Sequence, residues 1–230
     1  MDFSVIASSW GLYWEGLLTT AQLVAISLLI GLVMAVPLGI LHSMRNPLIR
    51  GPVWFYVYVF RGTPLLVQLY LIYYGAAQFD FVRDSVLWPI LREPYGCALI
   101  AFTLNTAAYT TEILRGSIET APHGEIEAAR AFGMSRLLVM WRIILPGAIR
   151  RGLPAYGNEV IFMLHGSAVA SVITIVDLLG AARIVNSRFY TPYEAFLTAG
   201  ALYLVLTFVI VGTFKLVETR LLRHLQRQPA

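Results

Sequence analysis

Hydrophobic positions in this chain come in long blocks instead of the spaced stripe of a water-soluble helix or strand. Residues 19–41 are apolar apart from Gln22, and 195–214 are equally clean. Residues 53–77 are long enough but are interrupted by Phe60-Arg61-Gly62-Thr63-Pro64. Residues 96–113 carry Asn105, Thr106 and Glu112, and residues 154–176 carry Asn158, Glu159 and His165. A bilayer needs about 20 mostly apolar residues per crossing, and only a helix pairs all of its own backbone groups in hydrocarbon. The pattern therefore predicts an all-α membrane protein of five transmembrane helices in a single domain. Ahead of the first block, Trp10, Tyr13, Trp14 and Leu17 fall at i, i+3, i+4 and i+7, one apolar helical stripe. It is read as an interfacial helix at headgroup level, with a plain extension of the first span as the alternative.

Between the third and fourth blocks the pattern changes. Residues 122–145 are polar and alanine-rich, with Glu125, Glu127, Arg130, Arg136 and Arg142. Pro122 suits a first helical turn, and the two glutamates complement a helix N-terminus. Glu127 and Arg130 are spaced to meet on its surface. Gly133 permits a turn, Ser135 can cap a second helix, and Pro146 is expected to end it. Two short helices joined at Gly133 result. Ala128, Ala129 and Ala131 leave the first with little side-chain bulk, so another protein can approach it closely. In the second, Leu137, Trp141 and Ile144 are expected to pack against the ends of the spans.

Charge decides which side this segment faces. Connections that alternate with the spans hold Arg45 and Arg50, then Arg115, Arg130, Arg136, Arg142, Arg150 and Arg151, then Lys215, Arg220, Arg223 and Arg227. The opposite connections hold only Arg83, Arg92, Arg183 and Arg188. Positive charge concentrates in cytoplasmic loops, so the N-terminus is expected on the periplasmic side, with 122–145 and the C-terminus in the cytoplasm. The formal net charge of +4 thus belongs to membrane topology, and no basic run or aromatic platform supports nucleic-acid binding. Composition agrees: 58% of 230 residues are hydrophobic and 13% charged, against about 25% charged in soluble domains.

Several chemistries are then set aside. Cys97 is the only cysteine, which excludes an intrachain disulfide and a thiolate metal cage. His165 has no His or Cys at i+3 or i+4, so no metal site is expected. No HExxH, GxSxG or paired-aspartate motif is present, and no catalytic residues are assigned. A P-loop needs a lysine after glycine, whereas the sole lysine, Lys215, follows Phe214. Any ATP and Mg²⁺ must then bind a partner, and no cofactor is expected on this chain. The first ten residues have no basic region or cleavage site, so the first span is expected to serve as its own targeting signal. Five spans cannot divide into two inverted halves, which argues against a secondary transporter or channel acting alone and for a second membrane subunit.

Ionisable groups inside spans are costly and are the candidates for a substrate pathway. Glu159, beside Asn158 and two turns before Ser167, is the best placed for a cationic cargo. Glu112 lies two turns from Asn105 and either lines the pathway or pairs locally with Arg115. Arg61, before Gly62 and Pro64, either caps carbonyls freed by the proline or pairs with Glu112 or Glu159. Asp177, after the fourth span, is expected to cap a turn.

Residues 127–146, EAARAFGMSRLLVMWRIILP, resemble the EAA motif of ATP-binding-cassette importer permeases, matching at Glu127, Ala128, Ala129, Gly133, Ile143, Leu145 and Pro146. The FRGTP stretch and NTAAYTTEILRGSIETAPHGEIEAARAFGM resemble the polar amino acid uptake permeases. LPAYGNEVIFMLHGSA and VDLLGAARIVNSRFYTPYEAF are similar to the M-type subunits of importers for histidine, lysine, arginine and ornithine. The resemblance implies a type I importer permease fold in the bacterial inner membrane, with residues 122–145 as the coupling helix to an ATPase. It further implies basic amino acids as cargo, a homologous permease as heterodimer partner, two ATPase subunits and a periplasmic binding protein. The chain departs from the family at His165-Gly166-Ser167, where an acid or amide often follows a lysine, so a partner is expected to complete the site.

Overall fold

The computed structural model describes residues 4–221, and these are almost entirely helical. A short helix α1 (Ser4–Ser8) precedes α2 (Trp10–His42), which runs unbroken for 33 residues. At 1.5 Å per residue that is about 50 Å, well beyond the hydrocarbon core. The separate interfacial helix is thus corrected: Trp10 to Leu17 form the first turns of α2 itself. Tyr13 is fully buried, packed with Leu178, Ala181 and Val185, and its hydroxyl donates to Ala195 O at 3.0 Å. That tertiary burial, together with the absence of any proline between Trp14 and Thr19, keeps the segment in line with the span.

The second apolar block is not a straight crossing. It comprises α3 (Pro47–Gly62), then α4 (Leu65–Tyr70) and a π turn over Leu71–Gly75, with a bend of 106° between the two parts. Pro64 supplies the break, because it lacks an N–H and its ring excludes the carbonyl four residues back. Short helices α5 (Asp80–Arg83) and α6 (Trp88–Leu91) lead into α7 (Pro94–Glu119), the most deeply buried candidate span. Next come α8 (His123–Ala131) and α9 (Arg136–Val139). A π turn, Met140–Ile144, carries the chain straight into α10 (Leu145–Gly166), which tightens to a 3₁₀ turn over Ser167–Ile173. Then follow α11 (Leu178–Phe189) and α12 (Pro192–Leu221). Among the described residues three helices are long and apolar enough to cross a membrane, and up to five crossings result if each bent pair counts as one.

The core forms where α2 and α7 meet. Leu23, Val24 and Leu28 of α2 pack with Cys97, Ala98, Ala101 and Phe102 of α7, and Met163 and Leu164 of α10 close the cluster. Small residues let these helices approach. A Cβ at Gly31 would sit 2.5 Å from Thr106 Cγ2, and one at Gly16 would sit 2.7 Å from the Asp177 carbonyl oxygen. Gly16→Ala is therefore expected to lower stability by about 1–3 kcal/mol, since the atom it meets belongs to backbone. Gly11→Ala, which meets nothing within 4 Å, is the control and should be neutral. Thermal unfolding of the two variants in detergent checks the difference.

Candidate functional site

The proline break builds the centre of the molecule. It frees the Phe60 carbonyl, and Gln68 Nε2 reaches that oxygen at 2.8 Å, Thr63 O at 3.0 Å and Thr63 Oγ1 at 2.8 Å. Asn105 Nδ2 donates to Gln68 Oε1 at 3.0 Å and lies 3.3 Å from Phe60 O. Both amides are nearly fully buried. Asn105 thus joins α7 to the bend instead of standing free, and Gln68 is its counterpart on α4. Sequence reading overlooked Gln68, although an amide four residues after a proline in an apolar run is a usable signal for a capped break. Arg61 leaves the freed carbonyls to these amides.

Around the break lies a cavity of about 530 Å³, lined by Arg61, Asn105, Tyr109, Glu159 and Phe162 among others. Glu159 is 6% exposed, and Thr106 Oγ1 donates to its Oε1 at 2.9 Å. No Lys or Arg among the described residues lies within 4.0 Å of its carboxylate. The Arg61 side chain is 42% exposed, with its guanidinium carbon 5.3 Å from the centroid of the Tyr109 ring.

Glu112 belongs mainly to a neighbouring ion cluster. Arg115 Nε and Nη2 donate to its two oxygens at 2.9 and 2.5 Å, and Arg115 Nη1 reaches Glu119 at 2.5 Å. His42 Nδ1 stands 3.6 Å away and Arg61 Nη1 4.0 Å away. Of the sequence-derived pathway residues, the structure brings Arg61, Asn105 and Glu159 to one cavity. It turns Asn158 to another side of α10, into a groove with Lys215 and Glu218 on α12. Ser167 is buried and donates to Leu164 O at 2.7 Å. His165 meets Thr207 at 3.3 Å. Asp177 Oδ1 accepts from Gly180 N at 2.7 Å and caps α11.

At the far end of α7 stands the polar double helix. Gly133 takes φ +78°, the left-handed conformation that glycine adopts without strain, and Ser135 Oγ accepts from Leu138 N at 3.3 Å. Ala129 is buried while Glu127 and Ala128 are exposed. Ala128, Ala131 and Phe132 form one outward stripe at i, i+3 and i+4, and Phe132 is 90% exposed. Sequence reading missed Phe132, whose signal is a lone large apolar side chain immediately before the glycine turn. Two expectations are corrected. Pro146 does not end a helix: it sits in the first turn of α10, and the wide π turn at Met140–Ile144 makes room for the ring and for the carbonyl it leaves without an N–H. That turn also rotates the apolar stripe, so Leu137 and Trp141 are exposed and Ile144 half-buried, while Val139 and Leu145 pack inward. Ile143 and Pro146 are half-buried.

The comparisons agree with this architecture. The family described as binding-protein-dependent transport system inner membrane component matches residues 27–223. The nopaline transport system permease protein NocM of Agrobacterium fabrum is 47% identical over 227 residues, 98% of this chain and 94% of that protein. The histidine/lysine/arginine/ornithine transport system permease protein HisM of Salmonella typhimurium is 45% identical, over 93% of this chain and 92% of its own length. Among solved structures, an amino acid ABC transporter crystallised with histidines aligns with a TM-score of 0.84 and 34% identity, covering 96% of this chain and 99% of that one. The MetNI methionine transporter in an inward-facing conformation shares the fold at a TM-score of 0.75 and 19% identity, over 91% and 96% of the two chains. With its fold and its sequence both matching, the chain belongs to the inner-membrane components of binding-protein-dependent transport systems, as a multi-pass permease of the type I ABC importer fold.

Proposed function

We propose that this chain is one of two membrane-spanning halves of an ATP-driven importer for polar, basic amino acids. A homologous permease forms the other half as a heterodimer, two ATPase subunits bind ATP and Mg²⁺ on the cytoplasmic side, and a periplasmic binding protein delivers cargo. The N-terminus faces the periplasm. Residues 122–145 face the cytoplasm and couple to an ATPase through Glu127, Ala128 and the Gly133 turn, while Ile143, Leu145 and Pro146 anchor that segment to α10.

The observation that carries the cargo assignment is the Glu159 carboxylate, buried at the cavity wall with no Lys or Arg among the described residues within ion-pair distance. A buried anion without a resident counter-ion favours a cationic ligand. The names of the HisM and NocM relatives support a nitrogen-rich cargo. Glu159→Gln keeps the shape and the acceptor for Thr106 but removes the charge. Lysine uptake into proteoliposomes holding the complete transporter should fall about ten- to a hundredfold, the range expected when a charged hydrogen bond of about 1.5–3 kcal/mol is lost. Undiminished lysine uptake would reject Glu159 as the cation site.

A further inference from the structure

We propose that Arg61 is the receptor for the carboxylate of the cargo, so that the cavity reads a zwitterion and not merely a cation. This rests on the reading that cargo occupies the Glu159 cavity. Four observations carry it. The carbonyls freed by Pro64 are met by Gln68 and Asn105, which leaves Arg61 no capping duty. Glu112 already has both oxygens held by Arg115, and Arg61 reaches it only at 4.0 Å. The guanidinium is steadied by the Tyr109 ring 5.3 Å away, a contact that leaves its in-plane N–H donors free. Finally, Arg61 and Glu159 line the same cavity of about 530 Å³, yet no pair between them falls within 4.0 Å.

Two opposite charges held apart in one cavity suit a molecule that carries both. Every α-amino acid brings a carboxylate that a cavity holding Glu159 alone would repel. Arg61 can accept it through two parallel N–H···O bonds, the geometry in which arginine outperforms lysine. Glu159 is then left for an ammonium or guanidinium. Carboxylate recognition becomes the means by which the pathway separates an amino acid from the amine that remains after decarboxylation. A positive charge of nearly the same length is no longer sufficient.

The test uses the complete transporter in nanodiscs without binding protein, whose own selectivity would mask that of the cavity. Equilibrium binding is measured for lysine, for cadaverine, which lacks the carboxylate, and for 6-aminohexanoate, which keeps carboxylate and ω-ammonium. Unmodified transporter should bind lysine and 6-aminohexanoate at least about tenfold more tightly than cadaverine. In Arg61→Gln the lysine-to-cadaverine ratio should fall to near one, through loss of lysine affinity and not gain of cadaverine. Arg61→Lys, which keeps charge without the fork and guards against a misassembled Gln variant, should give an intermediate ratio. An unchanged ratio in both variants, or parallel weakening of all three ligands, would overturn the proposal. Glu159→Gln separates this from the parent reading: it should weaken lysine and cadaverine together and preserve their ratio. If Glu159→Gln weakens lysine while the Arg61 variants leave the ratio intact, only the carboxylate assignment fails. If Glu159→Gln leaves lysine binding unchanged, the cavity assignment fails with it.

Discussion

Phe132→Asp should abolish transport while leaving the permease folded and in the membrane. The ring is 90% exposed at the tip of α8, beside a glycine turn that fixes its direction. An exposed aromatic of that size is the kind of anchor that fills a pocket on a partner, and losing one costs about 2–4 kcal/mol of association. Placing a carboxylate in that pocket adds desolvation to the loss. Cargo-stimulated ATP hydrolysis should fall about a hundredfold or more, and the ATPase subunits should no longer co-purify in stoichiometric amount. Membrane yield and melting temperature of the permease should stay within error of the parent protein, because Phe132 supports nothing in its own fold. Gly133→Asp should show the same uncoupling by another route: its φ of +78° is strained for a residue with a Cβ, and the turn that aims Phe132 would shift. Retained stimulation in both variants would sink the assignment of residues 122–145 as the coupling element.

Gln68→Leu should have a comparably large effect through the fold. One amide side chain meets the carbonyls of Phe60 and Thr63 and accepts from Asn105. Leucine fits the apolar neighbourhood but leaves buried carbonyls facing it, at about 1–3 kcal/mol for each unsatisfied group. The 106° bend is held by those partners, since hydrocarbon offers a freed carbonyl no donor. Loss of folded protein in detergent extracts is expected, and Gln68→Glu, which retains an acceptor for Asn105 but no donor for the Phe60 and Thr63 carbonyls, should lose folded protein as well. Wild-type yield and activity in Gln68→Leu would show that the bend is held by Pro64 alone.

Much of the fold was legible in the sequence, because long hydrophobic blocks are imposed by the bilayer and need no tertiary knowledge. The break at Pro64, the turn at Gly133 and the cap at Ser135 follow from single residues whose backbone preferences are strong. Other features depend on what lies across the gap. Asn158 and Glu159 are adjacent in sequence, but 100° of helical rotation sends one to the α12 groove and the other to the cavity. Periodicity alone could not say which. Leu137, Trp141 and Ile144 sit at ideal spacing for burial, yet a π turn that begins at Met140 changes the period and turns the stripe outward. Tyr13 and Trp14 look alike in an interfacial reading, and only the arrival of α11 and α12 buries one and not the other.

The absence of a loop between α9 and α10 has a mechanical consequence. From Arg136 to Ile173 the backbone stays helical, with the π turn widened but not interrupted. Val139 and Glu159 are 20 residues apart on that rod, about 30 Å at helical rise. A tilt of about 10° imposed at the docking end would displace the carboxylate by about 5 Å, roughly one turn's pitch, with no slack segment to take up the motion. If residues 122–145 couple to an ATPase as proposed, the stroke at the cavity is set by the angle of this helical run, and inserting a single flexible residue after Val139 should lower cargo uptake per ATP hydrolysed.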